Sequence, residues 1–364
     1  MNLNRREWLR WGGGALGCGL LSQFGRAAAQ GQSGAVRSAP IRIGQIGVGH
    51  AHATKLSVYR NSPDYEVVGL VESDPVLRQK AESQPAFHGV PWMTQAQLLA
   101  TPGLQAVLVE TRVRDLLPTA HACVAAGKHI HMDKPAGASF LQFERLIQAA
   151  NRKRLLVQMG YMYRYNPGVV LLREFLRQGW LGDIFEVHAV MSKVVEPAAR
   201  REFAEFSGGI LFELGGHIID LVVHVLGKPD RVMGYPRRST DPGDGLMDNM
   251  LAVFEYPRAT ASVKCSALEV EGFDRRHLVV CGTRGTFQIQ PLDNPSARIS
   301  LDQPRGVYRK GTQDIAFSKY TRYIGDAVDM ARIIRGEKTA DFSPSHDLAV
   351  QSTLLKACGM SLRS

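Results

Sequence analysis

The sequence predicts an α/β protein of two domains: an N-terminal doubly wound parallel sheet, then an α+β domain carrying a large, mostly antiparallel sheet. Three observations support this. Short apolar runs alternate with helix-length segments from residue 41 to about 160, the rhythm of parallel strands joined by crossover helices. From about residue 161 longer strands dominate, alternating apolar and polar residues so as to bury one face. The chain, at 364 residues, is long enough for two cores of ordinary size.

In the first half, "IRIGQIGVG" and "EVVGLVE" read as strands ending in glycine or an acid, and "LQAVLVET", "KHIHMDKP" and "RLLVQMGYM" as three more. "TKLSVYRNS", "VLRQKAES", "LLPTAHACVAAGK" and "FLQFERLIQAANRK" supply the helices between them. In the second half a helix precedes Gly179 and another contains "FELGGHIID". Strands then follow in "RVMGYPR", "NMLAVFEYP", "TASVKCSALEV", "RHLVVCGTRGTFQIQPL" and "ARISL", separated by turn-forming Gly, Pro and Asp, before a helix-rich end. The expected divisions are a leader over 1–29, a linker over 30–40, and domains over 41–160 and 161–364.

The leader has paired Arg5 and Arg6, the step Trp8-Leu9, a mildly apolar run and Ala27-Ala28-Ala29 as a cleavage site. Its run is too short and glycine-rich for a membrane span. It reads as a twin-arginine export signal cut after Ala29, which makes the translocase of that route a partner and the periplasm the destination. Cleavage removes four arginines and one glutamate, a net +3 of the chain's +10. The remaining excess is spread thinly, without basic runs or interleaved aromatics, so no nucleic-acid surface is indicated. Cys123, Cys265, Cys281 and Cys358 have no zinc-site or disulfide-framework spacing; Cys123 and Cys281 are expected in the core.

"IGQIGVGHAHA" places Gly47 and Gly49 in a turn between the first strand and a helix, a dinucleotide fingerprint of a Rossmann sheet. Gly47 permits the turn, Gly49 admits the backbone to a pyrophosphate, and the helix N-terminus supplies amides. His52 stands where a small residue usually packs. Of His50 and His52 one is expected to face the ligand, and His50 is assigned to the cofactor. Glu72, 23 residues after Gly49, ends the second strand and can accept from ribose hydroxyls while repelling a 2′-phosphate. The expected cofactor is therefore NAD rather than NADP.

In "FELGGHIID" a helix sets Glu213, His217 and Asp220 on one face, with His224 beyond. Such a stripe suits proton transfer, a metal, or a hydrogen-bonded seam. The glycine pairs 208–209 and 215–216 suggest that the helix starts late, after Glu213.

"AAGKHIHMDKPAG", taken with the glycine turn, "GGILFELGGHIID", "GYMYRYNP", "GWLGDI" and "VCGTRGTFQI", resembles the Gfo/Idh/MocA oxidoreductases, in that family's order and over most of the chain after the leader. The resemblance implies that Lys134 lies near the nicotinamide and the reacting hydroxyl. It makes Glu213 and His217 the family's acid–histidine pair, with His217 taking the proton, Asp220 supporting and no metal. It also places Thr111, Lys134 and Arg164 at the cofactor. Asp133 replaces the family's glutamate, Glu213 its aspartate, and "ETRVRDL" its usual third loop, leaving Arg112 and Arg114 near phosphates or in solvent. The implied activity is that of an exported oxidoreductase acting on a sugar, polyol or related cyclic alcohol. The alternatives are an NAD-dependent glycosidase working by transient oxidation, and a non-catalytic sugar-binding protein. Long half-apolar strands from 249 to 301 suggest a homo-dimer or homo-tetramer.

Overall fold

β1 (Ile41–Ile46), β2 (Tyr65–Val71), β3 (Ala106–Val109), β4 (His129–Met132) and β5 (Val157–Met159) form a parallel sheet in the order β2-β1-β3-β4-β5. The computed structural model describes residues 39–363, so the expected leader lies outside the described residues. The sheet needs both faces covered, and its strands are accordingly almost wholly buried. Helices Val113–Ala125 and Phe140–Arg152 pack together on one side through Leu116, Ala120, Phe143 and Ile147. Helix Pro75–Glu82 is started by Asp74, whose carboxylate accepts from the Val76 and Leu77 amides, with Pro75 at its first position.

The second sheet has eight strands: β6 (Ile184–Val190), β7 (Arg231–Arg237), β8 (Asn249–Glu255), β9 (Thr260–Ser266), β10 (His277–Gly282), β11 (Gly285–Ile289), β12 (Ser296–Leu301) and β13 (Gly311–Ala316). Their order is β13-β12-β11-β10-β6-β9-β8-β7, antiparallel except for the parallel pair β6–β9. Alternation decides which face is covered. Met250, Ala252 and Phe254 of β8 are buried under helix Gly209–Leu226, while Leu251 and Val253 face outward, half-buried. That helix is long and apolar enough to cross a membrane, but 78% of it is buried inside the fold.

Three expectations are corrected. Helix Gly209–Leu226 begins before Glu213, not after it. The glycines serve close packing: a Cβ added at Gly215 would lie 2.7 Å from Leu211 Cδ1. Not all of the C-terminal segment stays with the second sheet either. Helix Ile324–Ile334 packs Ala327, Met330 and Ala331 against Ile41, Ile43 and Leu108 of the first domain, and Tyr65 Oη donates to Ala327 O at 2.6 Å. Lastly, Cys281 is only half-buried, whereas Cys123, Cys265 and Cys358 are buried thiols.

Candidate active site

The loops that hold Gly47, Glu72, Thr111 and Lys134 each leave the carboxyl end of a parallel strand, where open α/β sheets bind ligands. The turn after β1 holds Gly47 at φ +95°, and a Cβ there would meet Thr111 N at 2.4 Å. Only glycine fits. A regular helix does not follow at once. A 3₁₀ turn, Ala53–Lys55, comes first and the α-helix runs Leu56–Asn61, because the His50 amide donates to Glu110 O and the His52 amide to His50 Nδ1. Glu72 follows β2, its carboxylate accepting from the amides of Val48 and Asp74 at 2.9 Å each. The capping turn of helix Pro75–Glu82 thus also orients this acid.

A cleft of about 640 Å³ runs between these loops, lined among others by Gly47, Glu72, Trp92, Thr111 and Arg112. Its volume, the glycine cradle and the fixed acid fit a dinucleotide. Arg112 pairs with Asp74 at 3.4 Å on the cleft wall, and Arg114 pairs with Glu205 of the second domain. Arg112 also borders a second cavity of about 250 Å³ between the domains, which His50, Lys193, Phe206, Phe212 and Glu213 line.

Beside His50, on the wall of this second cavity, lies a buried charge cluster. Lys55 Nζ sits 2.7 Å from Asp133 Oδ2 and 3.0 Å from Glu110 Oε1, all three fully buried. It also faces His131 Nε2 at 3.0 Å, whose other ring nitrogen lies 2.8 Å from Gln158 Oε1. A lysine ammonium only donates, so His131 carries its proton on Nδ1 and is neutral; burial, helped by Lys55, pushes it down to about 3. Asp133 is drawn well below the carboxylate range by His50, Lys55 and His52, against the opposing effect of burial. It is an anion that accepts from Lys55 Nζ, from the Lys134 amide at 2.7 Å and from His52 Nδ1, with His50 Nδ1 3.1 Å away. His50 Nε2 lies 3.0 Å from Lys134 O.

Lys134 follows β4 and its ammonium, 2% exposed, crosses to the second domain. It donates to Glu213 Oε1 at 2.9 Å and to Glu213 O at 2.8 Å. One turn on, His217 is buried beside the rings of His52, Tyr161 and Tyr163 at centroid distances of 5.6, 6.3 and 5.9 Å. Burial, then Lys134, pushes His217 well below its ordinary range, so it is neutral. The stripe divides here. Asp220 points away from the cleft, bound by Arg164 through Nε and Nη2 and by His346 Nε2 at 2.9 Å. His224 packs against Phe342 and His346.

Arg164, expected at the cofactor, is in that same buried group. It pairs with Asp220 and Asp347, lies over Phe342 at 4.0 Å, and is 2% exposed. Its Nε and Nη2 donate to two buried carboxylates, and it is not among the residues that line the cleft.

Two sets of side chains bring possible metal-ligand atoms within 4.8 Å of one another: His50, His52 and Asp133, and Asp220, His346 and Asp347. In each set a carboxylate already pairs with a cation, Asp133 with Lys55 in the first and Asp220 and Asp347 with Arg164 in the second.

Residues 41–161 match the family described as "Oxidoreductase family, NAD-binding Rossmann fold", and residues 169–288 match the "GFO/IDH/MocA C-terminal domain". The chain belongs to the Gfo/Idh/MocA oxidoreductase family. Among relatives, trans-1,2-dihydrobenzene-1,2-diol dehydrogenase of Sus scrofa is 25% identical over 256 residues, 68% of this chain and 74% of that one. The scyllo-inositol 2-dehydrogenase (NADP(+)) IolW of Bacillus subtilis is 31% identical over 134 residues, 36% of this chain and 37% of that one. Among solved structures, GenD2 from gentamicin A biosynthesis in complex with NAD superposes with a TM-score of 0.74 at 20% identity, covering 94% of this chain and 97% of its own. A putative NADPH-dependent oxidoreductase from Desulfitobacterium hafniense gives 0.75 at 18% identity, covering 88% and 95%.

In this Gfo/Idh/MocA chain the sequence reading had placed Lys134, Glu213 and His217 together, and the fold does join them at one junction. It missed Lys55, Glu110 and Lys193. Lys55 lies on an ordinary-looking helix start, and Glu110 ends a strand whose only signal was an acid after "AVLV". Lys193 follows β6 and reaches the inter-domain cavity; burial lowers its ammonium and Glu213 opposes the shift. No local pattern marks a residue that acquires its neighbours only through tertiary contact.

Proposed function

We propose that this oxidoreductase removes hydride from a secondary hydroxyl carbon of a sugar, polyol or related cyclic alcohol, with NAD as acceptor. The observation that carries the reading is the polar junction of the two domains, beside the cavity that His50 and Glu213 line. There Lys134, anchored by Glu213, lies near two neutral histidines, the half-buried His52 and the buried His217. When bound, the dinucleotide supplies the hydride acceptor at its nicotinamide ring. Gly47 and Gly49 admit its phosphates and Glu72 takes the ribose hydroxyls, with Thr111 and His50 on the inner walls. Lys134 Nζ polarises the substrate oxygen and favours its alkoxide-like state. The histidines receive or donate the hydroxyl proton. Lys193 and Glu213 offer charge and hydrogen bonds to further hydroxyls, which suits a polyhydroxylated substrate. The relatives named as dehydrogenases of a diol and of an inositol support the same class of carbon.

The test is a panel of inositols, aldoses and linear polyols incubated with the purified protein and NAD, following formation of NADH. At least one cyclic polyol or sugar should be oxidised; a panel wholly inert with both NAD and NADP would sink the reading. The pH profile should be displaced toward acid. Burial, opposed by Asp133, lowers His52 to about 4, and His217 is lowered as well. Protonation removes a proton acceptor, so turnover should hold down through the usual histidine range near 6.5 and fall only as pH approaches about 4 to 5. A midpoint at 6.5 or above would contradict the burial of these rings.

Two settings complete the proposal. Export through the twin-arginine route is supported by the leader sequence, and recovery of the full-length, uncleaved chain in the cytoplasm would contradict it. Homo-oligomerisation through the open sheet face is supported by Met233 opposite Val253 and Tyr235 opposite Leu251, an apolar patch facing outward. A monomer by light scattering would count against it.

A further inference from the structure

His52 occupies a position that a dinucleotide turn normally gives to a small residue, and the fold has built a partner for it. Its Nδ1 lies 3.2 Å from both Asp133 oxygens. Asp133 is an anion and only accepts, so the hydrogen lies on Nδ1 of His52. In the neutral ring Nε2 then carries the lone pair. Among the described residues Nε2 has no hydrogen-bond partner, and the side chain is 16% exposed. An imidazole whose Nδ1–H is held by a buried carboxylate, with Nε2 bare and reachable, has the arrangement of a general base.

His217 has the opposite polarity. The Met162 amide donates to His217 Nδ1 at 3.4 Å, so the lone pair is on Nδ1 and the neutral ring carries its hydrogen on Nε2. A neutral His217 therefore has its donor at Nε2. It cannot take a proton at Nε2, which already bears one. The two rings lie 5.6 Å apart between centroids, close enough to flank one hydroxyl group.

We infer that His52, oriented by Asp133, is the general base of this active site, and that His217 is a hydrogen-bond donor to the reacting oxygen alongside Lys134. The inference deepens the proposed alcohol oxidation and rests on it. In the step, the substrate O–H bond breaks and its proton goes to His52 Nε2. The O–H electron pair becomes the second C–O bond, and the C–H pair leaves as hydride to an oxidised nicotinamide. His52 becomes an imidazolium paired with the Asp133 carboxylate, so no net charge is buried unpaired. Lys55 keeps Asp133 ionised and fixed; it is a positioning residue. His217 and Lys134 donate to the oxygen as its negative charge grows.

The decisive readout needs neither cofactor nor substrate. In protein labelled with ¹⁵N at histidine, two-bond proton–nitrogen correlations near neutral pH report which ring nitrogen bears hydrogen, with resonances assigned by the variants His52→Gln and His217→Gln. His52 should be the Nδ1–H tautomer and His217 the Nε2–H tautomer. Asp133→Asn should shift His52 toward the other tautomer while leaving His217 unchanged. On the fastest substrate of the panel, His52→Gln should lower turnover by about 100-fold or more, the usual loss when a positioned base is removed. His217→Gln, which keeps an N–H, should cost about tenfold or less. NADH affinity, followed by fluorescence, should stay within a few-fold of wild type in both. The Nε2–H tautomer at His52, or a His217→Gln loss as large as that of His52→Gln, overturns the assignment while leaving the oxidoreductase reading intact. Failure of the wild-type protein to bind NADH overturns both.

Discussion

Lys134→Met is expected to lower turnover by about 100-fold or more while leaving NADH affinity within a few-fold, the size of effect seen when a preorganised donor to a developing oxyanion is removed. The ammonium is 2% exposed and held from two sides by Glu213, through its carboxylate and its main-chain carbonyl. On the proposed reading it meets the reacting oxygen without reorganising, in a place where water screens little. Methionine keeps the stem and its packing but not the charge. Glu213→Gln should be milder, about tenfold, because the amide oxygen and the main-chain carbonyl still accept from Lys134. Steady-state kinetics and a fluorescence titration separate the two effects. Turnover of Lys134→Met within threefold of wild type would remove Lys134 from the chemistry.

The second large effect is on stability. Arg164→Met should destabilise the fold by about 3–5 kcal/mol, the typical cost of removing one partner from a buried ion pair. Arg164 lies between Asp220 and Asp347, and all three are almost fully buried. Burial raises the Asp220 carboxyl, but Arg164 and then His346 more than reverse this, leaving it lowered. For Asp347 burial already prevails over Arg164 and the carboxyl is raised. Without the guanidinium both acids must be buried as unmatched anions or must take up protons. Their folded pKa values then rise above the ordinary 3.8, so the folded variant binds more protons than the unfolded chain at pH values between. Stability of the variant relative to wild type is accordingly worst at neutral pH and above, and the gap narrows as pH falls toward 4. Urea melts at pH 8, 6.5 and 5 measure it. A cofactor-binding role for Arg164 instead predicts weakened NADH affinity at unchanged stability, and that result would contradict the structure.

The contrast between these residues shows what the sequence could and could not say. Alternating strands and helices up to residue 160 gave the parallel sheet, because burial on both faces leaves continuous apolar runs such as "AVLV". The glycine turn and Glu72 were legible because each answers to a local constraint, a positive φ in one and a strand end in the other. Lys134, Glu213 and His217 could be named from motif order, though not which nitrogen of His217 carries its hydrogen. That depends on the Met162 amide, 55 residues away in sequence. The stripe was read as one surface because helical periodicity alone puts Glu213 and Asp220 on the same side. It divides because two different elements pack against it: the Lys134 loop at one end, and Arg164 with the helix Pro344–Ala357 at the other. His52 looked like a flaw in the glycine fingerprint. Only Asp133, 81 residues on, shows that the larger side chain has a carboxylate waiting for it.

The central claim is that this cleft holds a nicotinamide dinucleotide with Glu72 on its ribose, and nucleotide binding tests it most directly. Purified protein should be denatured and its released small molecules identified by mass spectrometry, then refolded or apo protein titrated with NADH and NADPH. The account predicts NAD(H) either released in about one equivalent per chain or bound on titration, tighter than NADPH by tenfold or more, with that preference reduced in Glu72→Ala, which loses both the ribose acceptor and the repulsion of a 2′-phosphate. No nucleotide released and neither dinucleotide bound, or NADPH bound more tightly than NADH, would contradict it.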